Sequence, residues 1–153
     1  MKIYIAAPIV GATDVMKAKI ERVKECISYI KSNDISIYDP KEHGVPNAWG
    51  MSMNEWARCI FALDVVAIDD SDWVVVCDFG RHGTAGTAWE CGYAFAKGKK
   101  ILIVQMDETD QDYSVMMHGC STNYCTFEEF LISDVIKDLF IEAGKKKYRT
   151  QFN

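Results

Sequence analysis

The chain has 153 residues, 49% hydrophobic and 25% charged, which is ordinary composition for a single globular domain. Its formal net charge of −5 argues against a nucleic-acid polymer as partner, because that binding needs a basic footprint. A single nucleotide or nucleoside stays open, since one phosphate needs only a few donors. No stretch reaches the roughly 18 apolar residues of a membrane span, and MKIYIAAPIV is too short for a secretory signal. Six cysteines (26, 59, 77, 91, 120, 125) include no CxxC pair, and four lie in apolar patterns. They read as buried thiols of a cytoplasmic protein rather than as disulfides or a zinc site.

Residues 2–7 (KIYIAA) form a short apolar run stopped by Pro8, a first strand. Over 14–31, Val15, Ala18, Ile20, Val23, Cys26, Ile27 and Ile30 recur at helical spacing. Residues 36–39 (SIYD) give a second strand stopped by Pro40, and the Gly, Pro and Asn of 41–50 mark a surface loop. Ser52, with Glu55 three residues on, is a capping signature for a helix running to about residue 68. A third strand covers 73–77, a helix 87–97 with Gly98 as its stop, and a fourth strand 100–104. Residues 107–122 are polar and irregular apart from the Met116-Met117 pair, and 123–125 make a short fifth strand. Thr126 and Glu129 repeat the capping signature and open a last helix to about residue 143. Strands alternating with helices in a chain this short point to a doubly wound, five-stranded parallel sheet of flavodoxin-like or Rossmann-like order, spanning 1–153.

In such sheets ligands bind beyond the carboxyl ends of the strands. The loop from Asp78 to Gly86 lies there, with glycines 80, 83 and 86 letting backbone approach a ligand closely. Glu90, just behind it, has two readings. Thr87-Ala-Trp-Glu90 is itself a capping box, and a carboxylate so placed also points toward the crevice. Asp64 shares an i, i+4 stripe with Ile60 and Ile68. It either sits at the stripe's exposed edge or is enclosed, where its pKa rises and it becomes a proton donor. Asp69, Asp70 and Asp72 fall at the amino end of the third strand and read as turn residues. Tyr4 is a mid-strand tyrosine of the kind usually found in a core with its hydroxyl satisfied. Met116-Met117 is either core or a flexible wall for a flat ligand, and Trp49, Trp56 and Trp89 near loop ends are candidates to stack a base.

KIYIAAP at the start, an aspartate in the helix before SDWVVV, and GTAWECGYAFAKGKKILIV together closely resemble the nucleoside 2-deoxyribosyltransferase family. The resemblance spans the chain and is most specific over residues 86–99. It implies transfer of 2-deoxyribose between nucleobases, with a deoxynucleoside and a free nucleobase as partners, no metal or organic cofactor, and a homo-oligomer sharing its sites. By that resemblance Glu90 is the nucleophile forming a covalent deoxyribosyl ester. Asp64 is the general acid and base, and Tyr4 positions the nucleophile. The loop residues Asp78, Thr84 and Gly86 would hold substrate, and Ser114 and Met116 would come from a neighbouring subunit. Two positions depart from the family pattern. Thr84 stands where an aspartate usually holds the sugar hydroxyls, leaving Asp78 as a possible replacement, and Ser114 stands where asparagine is usual. A related branch of nucleoside 5′-monophosphate N-glycoside hydrolases, often with a hydroxyl residue near the Thr84 position, is the alternative. A non-catalytic nucleotide sensor, in which Glu90 only caps a helix, is the reading from a different class.

Overall fold

The fold follows from strands apolar on both faces, which need helices on each side. A computed structural model describes residues 1–30, 35–83, 85–107 and 114–132. The strands are β1 (Lys2–Ala6), β2 (Ser36–Tyr38), β3 (Trp73–Asp78), β4 (Lys100–Gln105) and β5 (Asn123–Thr126). They form one parallel sheet in the order β2-β1-β3-β4-β5, the flavodoxin-like order expected. The order reverses between β1 and β3, so a crevice opens beyond their carboxyl ends.

Helix α1 (Asp14–Ser28) packs on one face, where Met16, Ile20, Val23 and Ile27 meet Ile3, Ile5, Val75, Leu102 and Val104. Its buried stripe differs from the expected one: Val15 is exposed, and Met16 takes the inward position. The helix also stops three residues sooner, at Ser28. Lys24 closes the start of the loop after β2. Its ammonium bonds Asp39 at 2.7 Å and also reaches Glu42 and Glu21. Burial works against the Lys24 charge, but those three carboxylates outweigh it and hold its pKa above the ordinary value. The expected loop over 41–50 contains two single 3-10 turns, Pro40–Glu42 and Ala48–Gly50.

The other face carries α2 (Met53–Asp69), α3 (Ala85–Ala96) and α4 (Val115–Cys120). Ile68, Cys91, Ala94 and Met117 pack there against Tyr4, Ala6, Val74, Val76, Ile101 and Ile103. Ser52 and Glu55 form the expected capping box of α2. Helix α3 ends in a Schellman pattern: Gly98 has φ +68°, its N–H bonds Phe95 O at 3.0 Å, and Lys99 N–H bonds Ala94 O at 2.9 Å. Only a residue that tolerates positive φ fits that turn. Helix α4 corrects the expectation of irregular chain over 107–122. Its short apolar core contact, Met117, is too little to read as a period. Thr126 and Glu129 cap α5 (Phe127–Leu131) as expected, but α5 closes at Leu131, with Ile132 extended. The rest of the helix expected to residue 143 lies outside the described residues. Among the described residues no helix is long and apolar enough to cross a membrane.

Candidate active site

Strand alternation decides which side chains face the crevice. On β1, Ile3 and Ile5 point to α1, so Tyr4 points to α2 and α3. On β2, paired Tyr4-to-Tyr38 in register, Tyr38 points the same way. Their rings stack with centroids 5.6 Å apart and 14° between planes. The imidazole of His43 stacks on the far side of Tyr38 at 4.2 Å. This ladder of rings walls one side of the site.

Glu90 descends from α3 onto that wall. The fully buried Tyr4 hydroxyl donates a 2.7 Å hydrogen bond to Glu90 Oε1. That bond corrects the capping-box reading, because α3 begins at Ala85 and Thr87 is already a buried helical residue. Glu90 stands in the second turn, too far along to close onto the helix's first amide. Burial pushes the Glu90 carboxyl up to about 8; the Tyr4 bond works in the opposite direction, and the Asp64 charge adds to the rise. The Tyr4 phenol is itself held far above its ordinary value by burial and by Glu90, so it stays a donor.

Asp64 comes to the same place from α2. Ile68 one turn on is buried, and Asp64 and Ile60 are half-buried, so the stripe does face inward. Burial raises the Asp64 pKa, opposed by hydrogen bonding from Tyr4. Its charge in turn raises both Tyr4 and Tyr38. Tyr4, Asp64 and Glu90 therefore form one electrostatic unit. Two carboxylates sharing a partly dry site resist double ionisation, so near neutral pH the pair holds one proton. The stronger rise is at Glu90, so the shared proton rests there first and has to pass to Asp64 before Glu90 can attack and Asp64 can donate.

Asp78 lies at the carboxyl end of β3 and is only 4% exposed. Its Oδ1 accepts the Gly80 N–H at 2.9 Å, while Oδ2 has no partner among the described residues. By alternation with Val74 and Val76, Asp78 belongs to the face of the sheet that carries Tyr4. Gly86 is the second residue of α3 and exposed. Thr84 lies outside the described residues. Ser114 caps α4, its hydroxyl accepting the Met117 N–H at 3.4 Å, and Met116 is 80% exposed on that helix. Neither contacts the Tyr4–Glu90 pair within this chain among the hydrogen bonds and apolar clusters described. Trp49 and Trp56 are exposed. The Trp89 ring stacks on Tyr93 at 5.2 Å and tilts against Phe61 at 5.1 Å, bridging α3 to α2. The acidic turn behaves as expected: Asp72 accepts the Lys2 N–H at 2.8 Å, and Asp69 meets Tyr93 and Lys97. Tyr38 was not among the expected site residues. Its alternation with Ile37 is visible in the sequence, but its register opposite Tyr4 is not.

A doubly wound sheet with two carboxylates and a buried tyrosine at its switch point is an α/β arrangement whose side chains are able to exchange protons and to attack an electrophilic carbon. The family model described as nucleoside 2-deoxyribosyltransferase matches residues 3–125, and the chain belongs to that family. A nucleoside deoxyribosyltransferase of Lactobacillus johnsonii is 30% identical over 81 residues, 52% of this chain and 54% of that protein. The matched stretch thus spans about half the length of that curated relative. Among solved structures, a 2-deoxyribosyltransferase from Bacillus psychrosaccharolyticus superposes with a TM-score of 0.71 at 18% identity, covering 90% of this chain and 91% of that one. A conserved protein from Enterococcus faecalis V583 gives 0.71 at 19%, covering 90% and 98%. A CMP N-glycosidase from Clostridium botulinum gives 0.55 at 21%, covering 86% and 94%. At these identities the structures speak for the fold.

Proposed function

We propose that the protein transfers 2-deoxyribose between nucleobases through a covalent ester on Glu90. The observation that carries this reading is the 2.7 Å bond from the buried Tyr4 hydroxyl to Glu90 Oε1, next to a second carboxyl of raised pKa. Tyr4 holds one Glu90 oxygen and so orients the other toward the anomeric carbon. That oxygen attacks C1′, the bond from C1′ to the base nitrogen breaks, and Asp64 gives its proton to the leaving base. An incoming base then attacks C1′, Asp64 takes up its proton, and the ester bond opens to restore the Glu90 carboxylate. This is a double displacement with ping-pong kinetics. The free Oδ2 of Asp78 is the acceptor for a sugar hydroxyl, compensating for Thr84 in place of the usual aspartate.

The reading extends to a homo-oligomer with shared sites in the cytoplasm, serving nucleoside salvage. Ser114 and the exposed Met116 would reach the site of a neighbouring subunit. Incubation of deoxyinosine with cytosine tests the activity. Deoxycytidine is the expected product, and release of free sugar with no new nucleoside would refute the transferase.

The hydrolase of 5′-monophosphates is the second reading. Near the ends of β1 and β2 a hollow is lined by Ala7, Pro8, Lys17, Glu21, Asp39 and Lys41, among others. Its two lysines are already matched, Lys17 by Asp14 at 3.4 Å and Lys41 by Glu21 at 3.5 Å. A phosphate would have to displace those carboxylates, which favours the unphosphorylated nucleoside. Faster turnover of the monophosphate than of the nucleoside would reverse that preference.

A further inference from the structure

All six cysteines are free thiols, and two of them touch. Cys91 Sγ, on α3 directly after Glu90, lies 3.3 Å from Cys120 Sγ, the last residue of α4. We propose that Cys91 and Cys120 form a peroxide-sensitive modification site that closes into a reversible disulfide joining α3 to α4. An S–S bond of about 2.05 Å requires the sulfurs to approach by only about 1.3 Å. Helix α4 is a six-residue element with Met117 as its one buried residue, so the shift asks little of the core.

The two thiols are not equivalent. Cys91 is buried, and besides its bond to Cys120 and its burial, the charges of Asp78 and Glu90 disfavour a thiolate there. Cys120 is partly open to solvent and donates to Met117 O at 3.3 Å. With that proton directed at the carbonyl, the contact between the sulfurs has Cys91 S–H donating to Cys120. That donation holds the Cys120 pKa below the ordinary thiol value, against the opposing effect of burial. Cys120 is the sulfur open to solvent, so it is the one that meets an oxidant, as a thiolate once its proton leaves the Met117 carbonyl, and the enclosed Cys91 is the resolving thiol.

Hydrogen peroxide supplies the oxidising equivalents. The Cys120 thiolate attacks one peroxide oxygen, the O–O bond breaks, and the hydroxide that leaves is protonated to water, giving the sulfenic acid. Cys91 sulfur then attacks Cys120 sulfur, the S–O bond breaks, and hydroxide leaves with the Cys91 proton as a second water. Two thiols and one peroxide become one disulfide and two waters. Because Cys91 adjoins Glu90 and Cys120 ends the helix capped by Ser114, the bond ties the helix that carries Glu90 to the helix whose Ser114 and Met116 would serve a neighbouring subunit's site.

The test uses the full chain without substrate, treated with a few equivalents of hydrogen peroxide, then unfolded and alkylated with N-ethylmaleimide, and digested with trypsin and chymotrypsin. Cleavage after Tyr124 separates Cys120 from Cys125. The expected result is loss of two alkylatable thiols of six, a crosslinked peptide pair carrying Cys91 and Cys120, and recovery of both thiols with dithiothreitol. Cys120→Ser should leave the buried Cys91 thiol unreacted, and Cys91→Ser should stall Cys120 at the sulfenic acid. The proposal is overturned if Cys120 gains two oxygens while Cys91 stays alkylatable, if Cys120 pairs with Cys125, or if all six thiols survive. None of these readings depends on glycosyl transfer.

Discussion

The proposed chemistry turns on Glu90, and its charge state is the first thing to test. Its folded pKa of about 8 lies above the ordinary 4.5, so folding takes up a proton between those values. The stability linked to Glu90 is therefore complete below about pH 4.5, declines as pH rises, and is gone above about 8. Glu90→Gln removes that slope. Urea midpoints from pH 5 to 9 should show the variant gaining on the wild type, by about 1–3 kcal/mol at pH 9 once water access to the crevice is allowed for. An unchanged slope would mean the carboxylate is solvated. In catalysis the same pair should give a kcat/KM that falls above about pH 8, as its last proton leaves, and that value belongs to the pair rather than to one residue. Asp64→Asn should lower kcat by roughly 10²–10⁴-fold by removing the proton donor. Tyr4→Phe removes a bond to a charged group worth about 1.5–3 kcal/mol, so kcat should fall on the order of 10–100-fold with a small change in KM.

At the scale of elements, the loop after β2 depends on a buried cation. Lys24 and Asp39 are both nearly enclosed, so Lys24→Ala leaves Asp39 with the Lys41 N–H at 3.0 Å but no countercharge, and should cost about 3–5 kcal/mol. Chemical denaturation measures this directly, and a loss under about 1 kcal/mol would show that water takes over the lysine's role. The elements also show what can be read ahead of a structure. Strands β1, β3 and β4 are unbroken apolar runs, and the Ser52–Glu55 and Thr126–Glu129 pairs carry their capping chemistry in four residues. The placement of Glu90 on Tyr4 was legible as a family resemblance. From local spacing alone Glu90 was equally a cap, because Thr87 mimics one and the start of α3 at Ala85 has no sharp signal. Tyr38 and the Cys91–Cys120 contact depend on strand register and on how α3 lies on α4. Those are long-range packing facts, without a local period to betray them.

On the whole molecule, the outer side of α2 is the feature the chain does not explain alone. Of its 17 residues only Ile68 is buried, while Met53, Phe61, Leu63 and Val66 are exposed. With Trp89 of α3 against Phe61, this is more apolar surface than a solvated face usually carries. Under the proposed shared-site assembly it is the surface a second copy covers. Phe61→Glu should then lower the mass measured by light scattering and reduce transfer in parallel. A wild type that stays monomeric at high concentration would contradict the shared site.

The most direct test is mass spectrometry of the protein mixed with a deoxynucleoside, quenched in acid and digested. The account predicts a peptide bearing one anhydro-deoxyribose on Glu90, lost when a free base is added before the quench and absent from Glu90→Gln. An active protein that never carries sugar on Glu90, or a Glu90→Gln variant that still exchanges bases, would contradict it.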